Sequence, residues 1–341
     1  MWPNCLPTLQ STGSEKKGGR KKASVALPGL VEAVAASVAD HTAGSPVDPS
    51  LLWTNRSPRA IVEELAVAGF DVGSDTVRAI LTEDLGLSLR QAVKDEATCN
   101  FPWRDEQFEH IGRLRKTFQR EGCPVLSIDT KQKELLGNFF RSGRAYTNGR
   151  VHVLDHDFAT HGQGRMAPYG VYDVARNEGL MLLSVGPDTS QLACDAIWRW
   201  WRRLGKWHYA GCKRLLLLCD CGGSNGYRQY LFKEELLRLA DDLGMSIRVA
   251  HYPPGCSKYN PIEHRMFCHV TRVLRGVVLQ TVDVAKQFIA RTTTDTGLRV
   301  VAETARRVYQ KGMHASTEFI QNMPIRFHRF LPELNYTARA Q

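Results

Sequence analysis

Three acidic residues stand where apolar runs end or where a helix begins. Asp129 follows the apolar run 125–128, and Asp220 follows the longer run 215–219. Both runs have the length and composition of buried strands. Glu263 comes directly after Asn-Pro-Ile, at the start of a predicted helix. This order constrains the fold, because the acids meet only if the two strands share a sheet and the helix crosses that sheet.

Carboxylates that converge from separate elements are suited to hard cations. Mg²⁺ binds oxygen ligands, and two such ions stabilise the attacking and leaving oxygens of a phosphoryl displacement. Each acid also has a structural interpretation. An aspartate at a strand end is often a turn former, and Glu263 could be a first-turn acid that the helix dipole favours. Their joint order favours the chemical interpretation. Asp129, Asp220 and Glu263 are therefore the candidate catalytic and metal-binding residues.

The charge of the chain favours a polyanionic partner. Its 341 residues include 45 Lys and Arg against 35 Asp and Glu, a formal charge of +10. Basic side chains that neutralise phosphates release counterions, so nucleic acid is one expected partner; a merely basic protein is the alternative. Nine scattered cysteines without a Cys-x-x-Cys pair exclude a disulfide scaffold and a typical zinc site. With no signal peptide and no apolar run of membrane-spanning length, we expect a cytoplasmic protein and no membrane partner.

Composition and periodicity divide the chain into five segments. We predict a disordered basic arm, a helical region with a helix-turn-helix-like pattern, a linking amphipathic helix, an α/β domain and a C-terminal helical extension, at residues 1–24, 25–100, 101–122, 123–290 and 291–341, respectively.

The helix-turn-helix pattern lies in residues 57–93. Ser57-Pro58 is typical of a helix start, Gly69 of a helix end, and Gly73-Ser74-Asp75 of a second start. Thr76 and Arg78 would lie near the beginning of the second helix, where such motifs contact base edges. Many helical hairpins share this pattern. Lys21 and Lys22 of the arm are further candidates for phosphate contact, although a solvated tail has the same composition.

From residue 123 onward, short apolar runs alternate with helical patterns. This predicts a mixed sheet with helices on its faces. The predicted strands are 125–129, 151–154, 169–173, 180–185, 215–220 and 247–250, and the predicted helices are 188–204, 225–243 and one from Asn260.

The motifs along this region resemble those of a known family. Ser127–Phe139, Asp155-His156-Asp157-Phe158, Tyr169–Asp173, Asp220–Gly226 and Pro253–His264 together look like a bacterial insertion-sequence transposase of the Rhodopirellula-type, or ISAzo, family of DDE transposases. The resemblance runs from about Gly18 to near Tyr336. It implies a mixed α/β fold: an RNase H-like catalytic domain with a mixed five-stranded sheet, after an all-α N-terminal region.

The resemblance also implies an activity and its partners. Asp129 and Asp220 from strand ends and Glu263 from a helix would hold two Mg²⁺ or Mn²⁺ ions for DNA strand cleavage and strand transfer. The partners would be transposon terminal inverted repeats and target DNA, with a homodimer or higher oligomer in a nucleoid-associated complex. From their proximity in sequence, Lys131, Lys258, His264 and Arg265 would contact DNA; Arg265 could equally pair with an acid.

The sequence departs from the family pattern in two places. Cys221 and Cys256 stand where glycine and threonine are usual, and the lysine-rich stretch follows a short, dissimilar leader. The alternatives are a truncated remnant that binds DNA without transposing it, and an RNase H-like nuclease.

Overall fold

The chain divides into two units, Met1–Asp95 and Glu96–Gln341. The structure is a computed structural model that describes residues 22–44, 51–90 and 101–340. The predicted contact residue Lys21 and most of the predicted arm lie outside the described residues. In the described part of the chain, no helix combines the length and the apolar composition of a membrane span.

The N-terminal unit is helical except for one short ribbon. Its elements are α1 (Ala23–Ala26), α2 (Leu30–Ala39), β1 (Thr42–Gly44), β2 (Leu52–Thr54), α3 (Pro58–Val67) and α4 (Ser74–Ala79), with a π-helical turn at Ile80–Asp84 after α4. The prediction of an all-α region was therefore wrong at β1 and β2, which pair antiparallel. Three-residue strands are too short to show a period of two in the sequence. The predicted arm also ends earlier than residue 24, because α1 begins at Ala23.

The predicted helix pair at 57–93 is present as α3 and α4. The Ser57 hydroxyl accepts a hydrogen bond from the backbone N–H of Ala60 at 3.2 Å, and Pro58 is the first helical residue. The two helices pack through a small core whose buried members are Leu30, Val34, Val38, Ile61, Leu65, Val77, Ile80 and Leu81. The amphipathic spacing thus gave the helix pair correctly, because each helix buries one stripe.

The second unit is a large mixed sheet covered by helices on both faces. Its elements are α5 (Arg104–Arg120), β3 (Val125–Thr130), β4 (Glu134–Leu136), β5 (Gly164–Asp173), β6 (Glu178–Val185), α6 (Ser190–Trp200), α7 (Lys206–His208), β7 (Arg214–Cys219), α8 (Tyr230–Leu243), β8 (Ser246–His251), α9 (Cys268–Val273), α10 (Val282–Ile289), β9 (Arg299–Thr304), α11 (Thr317–Asn322), β10 (Ile325–Phe327) and β11 (Asn335–Ala338).

The strand order is β10-β11-β8-β7-β3-β5-β6-β9, with β4 on β5. In the centre, β3 pairs parallel with β7 and β7 with β8, whereas β3–β5 and β5–β6 are antiparallel. The predicted mixed α/β class is confirmed by this mixed sheet. The five central strands correspond to predicted ones, but the sheet has nine strands in the described residues, and residues 151–154 form no strand.

The central strands are buried on both faces, as continuous apolar runs in parallel strands indicate. Leu215 and Leu217 of β7 join the core under α6 and α8. Leu216 and Leu218 face the other way, into the core under α5, α9 and α10. The sheet therefore holds the end of β7, and Asp220 after it, between two packed layers.

Two parts of the second unit differ from their predicted roles. The amphipathic helix α5 belongs to this unit, where the buried Gln107 side chain donates to the His251 carbonyl at 2.8 Å and accepts from Asn335 at 2.8 Å. The segment 291–341 contains three strands and one short helix, not a helical extension. Strands β9 and β11 pair with β6 and β8, which satisfies edge hydrogen bonds that would otherwise be open.

Candidate active site

The two aspartates lie at one end of adjacent parallel strands. Ser127 of β3 is level with Leu218 of β7, so the same register puts Asp129 level with Asp220 two residues later. Neighbouring strands are about 4.8 Å apart. The Asp129 carboxylate accepts from the backbone N–H of Thr130 at 2.7 Å. Both predicted strand-end acids are therefore brought together by the sheet.

The electrostatics of the two aspartates show that other acids are close. Burial and then the negative charge of Asp220, with further contributions from Glu263 and Asp188, raise the pKa of Asp129 to about 8. The pKa of Asp220 is raised to about 6 by burial and by Glu263 and Asp188. Asp129 and Asp220 thus both lie in the negative field of neighbouring acids, and a cation placed among them would relieve the repulsion.

Glu263 begins a helical segment that is held against β3 by side-chain hydrogen bonds. Asn260 is fully buried, donates to the Ile128 carbonyl at 3.1 Å and accepts from the Ser127 hydroxyl. The Ser127 oxygen in turn accepts from the backbone N–H of Ile262 at 2.9 Å. This network fixes the first residue of the π-helical turn Glu263–Phe267 against the strand that carries Asp129.

Two glycines allow this helix to lie directly on the sheet. Gly170 of β5 is level with Asp129, and a Cβ there would come 2.5 Å from the Phe267 ring and 2.8 Å from Ile262. A Cβ on Gly179 of β6 would collide with the Met266 sulfur. The close approach of helix and sheet, and with it the height of Glu263, therefore depends on the absence of side chains at these positions.

Gly170→Ala is expected to destabilise the second unit by about 1–3 kcal/mol, since the added methyl forces the helix or its aromatic ring to move. Gly112→Ala is the matched control: a Cβ at this site in α5 meets nothing within 4 Å. It should stabilise the helix by roughly 0.5–1 kcal/mol. Chemical denaturation measures both values, and an unchanged free energy of unfolding for Gly170→Ala would contradict the packing argument.

Donors and acids missed in the sequence complete the site. The Asn225 side chain is buried and donates to the Asp220 carboxylate at 3.5 Å, and the Ser224 hydroxyl donates to Asp188 at 2.7 Å. Ser224, Asn225 and Asp188 lie at the starts of the predicted helices 225–243 and 188–204, where polar residues are typical caps. Helix α8 begins only at Tyr230, and Thr189 alone caps α6 by accepting from Leu192.

Within the described ranges, no group of three or more His, Cys, Asp or Glu side chains already has the arrangement of a metal site. The donor set nevertheless fits a hard cation in its chemistry. It consists of carboxylate oxygens, and burial and neighbouring acids disfavour the ionised forms of Asp129 and Asp220. Asp129, Asp220 and Glu263 are the residues that could hold such an ion, and Asp188 lies within electrostatic reach.

The sequence as a whole matches one family model, the Rhodopirellula transposase DDE domain, over residues 33–340. The chain belongs to this family. Its members are transposases, so the strand-end acids and the helical glutamate lie in a DDE domain, as the motifs predicted.

Solved structures similar to this DDE transposase include a Mos1 transposase paired-end complex with left transposon end and a Mos1 mariner paired end complex with Mn. Each is 12% identical to this chain, and each match covers 81% of this chain and 73% of the Mos1 chain. The TM-scores are 0.41 and 0.40, respectively. Among curated proteins, no sequence matches this chain.

The predicted DNA-contacting residues of the DDE domain have differing surroundings. Lys131 is buried, with its ammonium 2.8 Å from a Glu134 carboxylate. Lys258 and His264 are exposed, and the His264 ring contacts the Lys258 carbonyl. Arg265 is exposed and lies 3.5 Å from the Val174 carbonyl. The structure thus directs Lys131 toward an acid, while the role of all four in DNA binding stays a prediction.

The predicted contacts of the N-terminal unit are on its surface. Arg78 is exposed and pairs with Asp75 at 2.7 Å, and Thr76 is half-buried at the first turn of α4. Lys22 is exposed and pairs with Glu83 at 2.7 Å. Exposed pairs of this kind are weak, so they leave these cations available to phosphate. Their contact with DNA stays a prediction.

The two thiols that depart from the family pattern are accommodated within the loops beside the site. The Cys221 thiol donates to the Tyr252 carbonyl at 3.0 Å, and Cys256 is buried. Neither takes the place of a carboxylate.

His251 forms a hydrogen bond to the backbone of Asp220 and is expected to make the free energy of unfolding depend on pH. Its Nδ1–H donates to the Asp220 carbonyl at 2.7 Å, and its Nε2 accepts from the Tyr336 hydroxyl at 3.1 Å. Burial lowers the pKa of His251 from 6.5 to about 4. Between these values only the unfolded chain binds the proton, so the free energy of unfolding falls as pH drops from about 6.5 to about 4.

His251→Gln is expected to reduce the loss of stability between pH 7 and pH 4.5 by about 2–3 kcal/mol. Urea unfolding at the two pH values measures the difference. His314→Gln, at an exposed position, is the control and should leave the loss unchanged. An equal loss in His251→Gln and the wild type would contradict the buried neutral imidazole.

Proposed function

We propose that this chain is a DDE transposase that cleaves and joins DNA strands at transposon ends with two divalent ions held by Asp129, Asp220 and Glu263. The observation that supports it best is the level placement of Asp129 and Asp220 at the ends of adjacent parallel strands, where the charge of Glu263 raises the pKa of both. Membership of the transposase DDE family agrees with this arrangement. The proposal is narrower than that family membership, because it names the ligands and the chemistry.

The residues of the site would divide the work. Bound Mg²⁺ or Mn²⁺ would polarise the scissile phosphate and lower the pKa of attacking water. Asp129 and Asp220 would supply ligand oxygens from a rigid sheet, while Asn225 orients Asp220. Asn260 and Ser127 would keep Glu263 at a fixed height. Preorganisation of this kind lowers the cost of assembling a charged transition state.

A basic approach to the site supports a polyanionic substrate. A cavity of about 300 Å³ opens beside Asp188 and Ser224, and Lys133 and Lys311 line it. Both lysines are exposed. A DNA strand entering here would have its phosphates neutralised while one phosphodiester meets the carboxylates. Since two transposon ends are joined in one event, we propose that the working complex contains at least two copies of the chain.

The test is cleavage of a duplex that carries the inverted repeats flanking the gene. The full chain should nick or cut this duplex in Mg²⁺ or Mn²⁺ and not in EDTA, and join the freed 3′ end to a second duplex. A DNA:RNA hybrid of the same sequence is a parallel substrate. Binding without cleavage in either metal would favour the remnant, and preferential cleavage of the hybrid would favour the nuclease; either result would contradict the proposal.

A further inference from the structure

A second charged site lies at the opposite end of the sheet from the carboxylates. It is a cavity of about 1050 Å³ between α5 and the strands β8, β10 and β11. Arg214 and Ser246, the first residues of β7 and β8, line it, whereas Asp220 follows the last residue of β7. Six strand residues separate the two ends by about 20 Å. The cavity is therefore distinct from the proposed active site.

The cavity carries a concentration of guanidinium groups. Five arginines line it: Arg214, Arg248, Arg326, Arg329 and Arg339. In the described part of the chain, no acidic side chain lines it. Arg214 is paired, at 3.0 Å from Glu121 outside the lining. Arg326, Arg329 and Arg339 are exposed, and no carboxylate of the described residues pairs with them. Like charges that line one cavity repel one another, so the cavity favours an anion.

Arg248 also lines the cavity and has no carboxylate partner among the described residues. Its guanidinium donates to the Thr337 hydroxyl at 3.3 Å and approaches the His110 ring at 3.4 Å, but its buried Nε has no hydrogen-bond partner among the described residues. Burial and the charge of Arg326 lower the pKa of Arg248. His110 is affected in the same direction: burial, His328 and Arg248 lower its pKa to about 4. A buried unpaired donor is costly, and an anionic oxygen would satisfy it.

We infer that this cavity binds the phosphodiester backbone of duplex DNA, at a second site remote from the carboxylates. The inference rests on the proposed function, which makes DNA the substrate. A single phosphate accepts one or two guanidinium forks, whereas five arginines on β7, β8, β10 and the segments around β11 match several phosphates in succession. The exposed Phe327 ring at the rim adds an apolar surface for a sugar.

The separation of the two sites sets a minimum length for DNA that reaches both. A span of about 20 Å corresponds to roughly six base pairs at 3.4 Å per pair. A duplex must therefore extend at least that far beyond the cleaved bond to occupy both sites at once. A shorter duplex occupies one site or the other and gains no affinity from holding both.

The test is the triple variant R326E/R329E/R339E of the full chain, in which three exposed arginines of the cavity change sign. The control R202E/R291E/R306E makes the same charge change at exposed arginines that do not line the cavity. Fluorescence anisotropy with a 30-base-pair duplex measures affinity over a salt series. The cavity variant should bind at least tenfold more weakly than the control, and its slope of log K against log salt should be smaller by about 3.

A second measurement uses the wild-type chain and does not depend on the folding of a variant. Phenylglyoxal labels exposed arginines, and bound duplex should protect Arg326, Arg329 and Arg339 but not Arg202. Equal affinity and salt slope in the two triple variants, together with no protection, would overturn the inference even if the wild type cleaves DNA. Protection with no cleavage would instead support the inference while the proposed function fails, so the two failures are distinguishable.

Discussion

Asp220→Asn is expected to reduce metal-dependent DNA strand cleavage by roughly a thousandfold or more, about 4 kcal/mol of transition-state stabilisation. The amide has nearly the shape of the carboxylate but lacks the negative charge that a carboxylate ligand would supply to a divalent cation. The fold should be unaffected or slightly more stable, because burial and neighbouring acids already disfavour the ionised form of Asp220. Single-turnover cleavage of an end duplex in Mg²⁺ measures the effect.

Asp242→Asn is the matched control for this substitution. Asp242 is exposed on α8, at the helix end away from the carboxylates, and the chemical change is the same. It should cleave at the wild-type rate. Activity of Asp220→Asn within tenfold of this control would remove Asp220 from the proposed set of ligands.

Asn260→Ala is expected to have the second-largest effect, and to act on both stability and cleavage. The truncation leaves the buried Ile128 carbonyl and the Ser127 hydroxyl without their partner. Each buried group left unsatisfied costs about 1–3 kcal/mol, so a total loss of about 2–4 kcal/mol is expected. Because the same bonds fix the helix that carries Glu263, cleavage should fall by on the order of a hundredfold at temperatures where the chain stays folded.

A merely structural Asn260 would lower the unfolding midpoint without affecting metal use. The deciding readout is therefore the Mn²⁺ concentration needed for half-maximal cleavage, which should rise at least tenfold if Glu263 is displaced. Asn322→Ala, at the exposed end of α11, is the control and should change neither value. A large loss of stability with an unchanged Mn²⁺ requirement would contradict the positioning role.

The sequence was informative where one element type extends over a full run. The buried run 215–219 and the shorter run 125–128 each predicted a strand followed by an aspartate, and the structure has both strands. The pattern of Ser57-Pro58 and Gly69 likewise located α3. Such runs have strong periodicity or capping residues, so local physics alone determines them.

The features that were missed depend on contacts between distant residues. Strands β10 and β11 are three and four residues long and are strands only because β11 pairs with β8. The bonds from Asn260 to Ser127 and Ile128 span more than 130 positions. Their only local sign was a polar residue three places before Glu263, which predicted a helix start and nothing about β3.

The same limit applies to the acids of the site. Asp188 resembled a helix cap, and its neighbour Thr189 does cap α6. Its effect on the pKa of Asp129 and Asp220 comes from the sheet, which places the start of α6 beside the ends of β3 and β7. A fourth carboxylate could therefore be recognised only once the strands were ordered.

The most direct test of the central claim is a crystal of the full chain soaked in Mn²⁺ and measured at the manganese absorption edge. The proposed function requires two anomalous peaks about 4 Å apart, with Asp129 and Asp220 oxygens on the metals and Glu263 completing the set. A crystal of Asp220→Asn treated in the same way should lose at least one peak. Manganese bound elsewhere, or its absence from these three carboxylates at saturating concentration, would contradict the claim that they form a two-metal site.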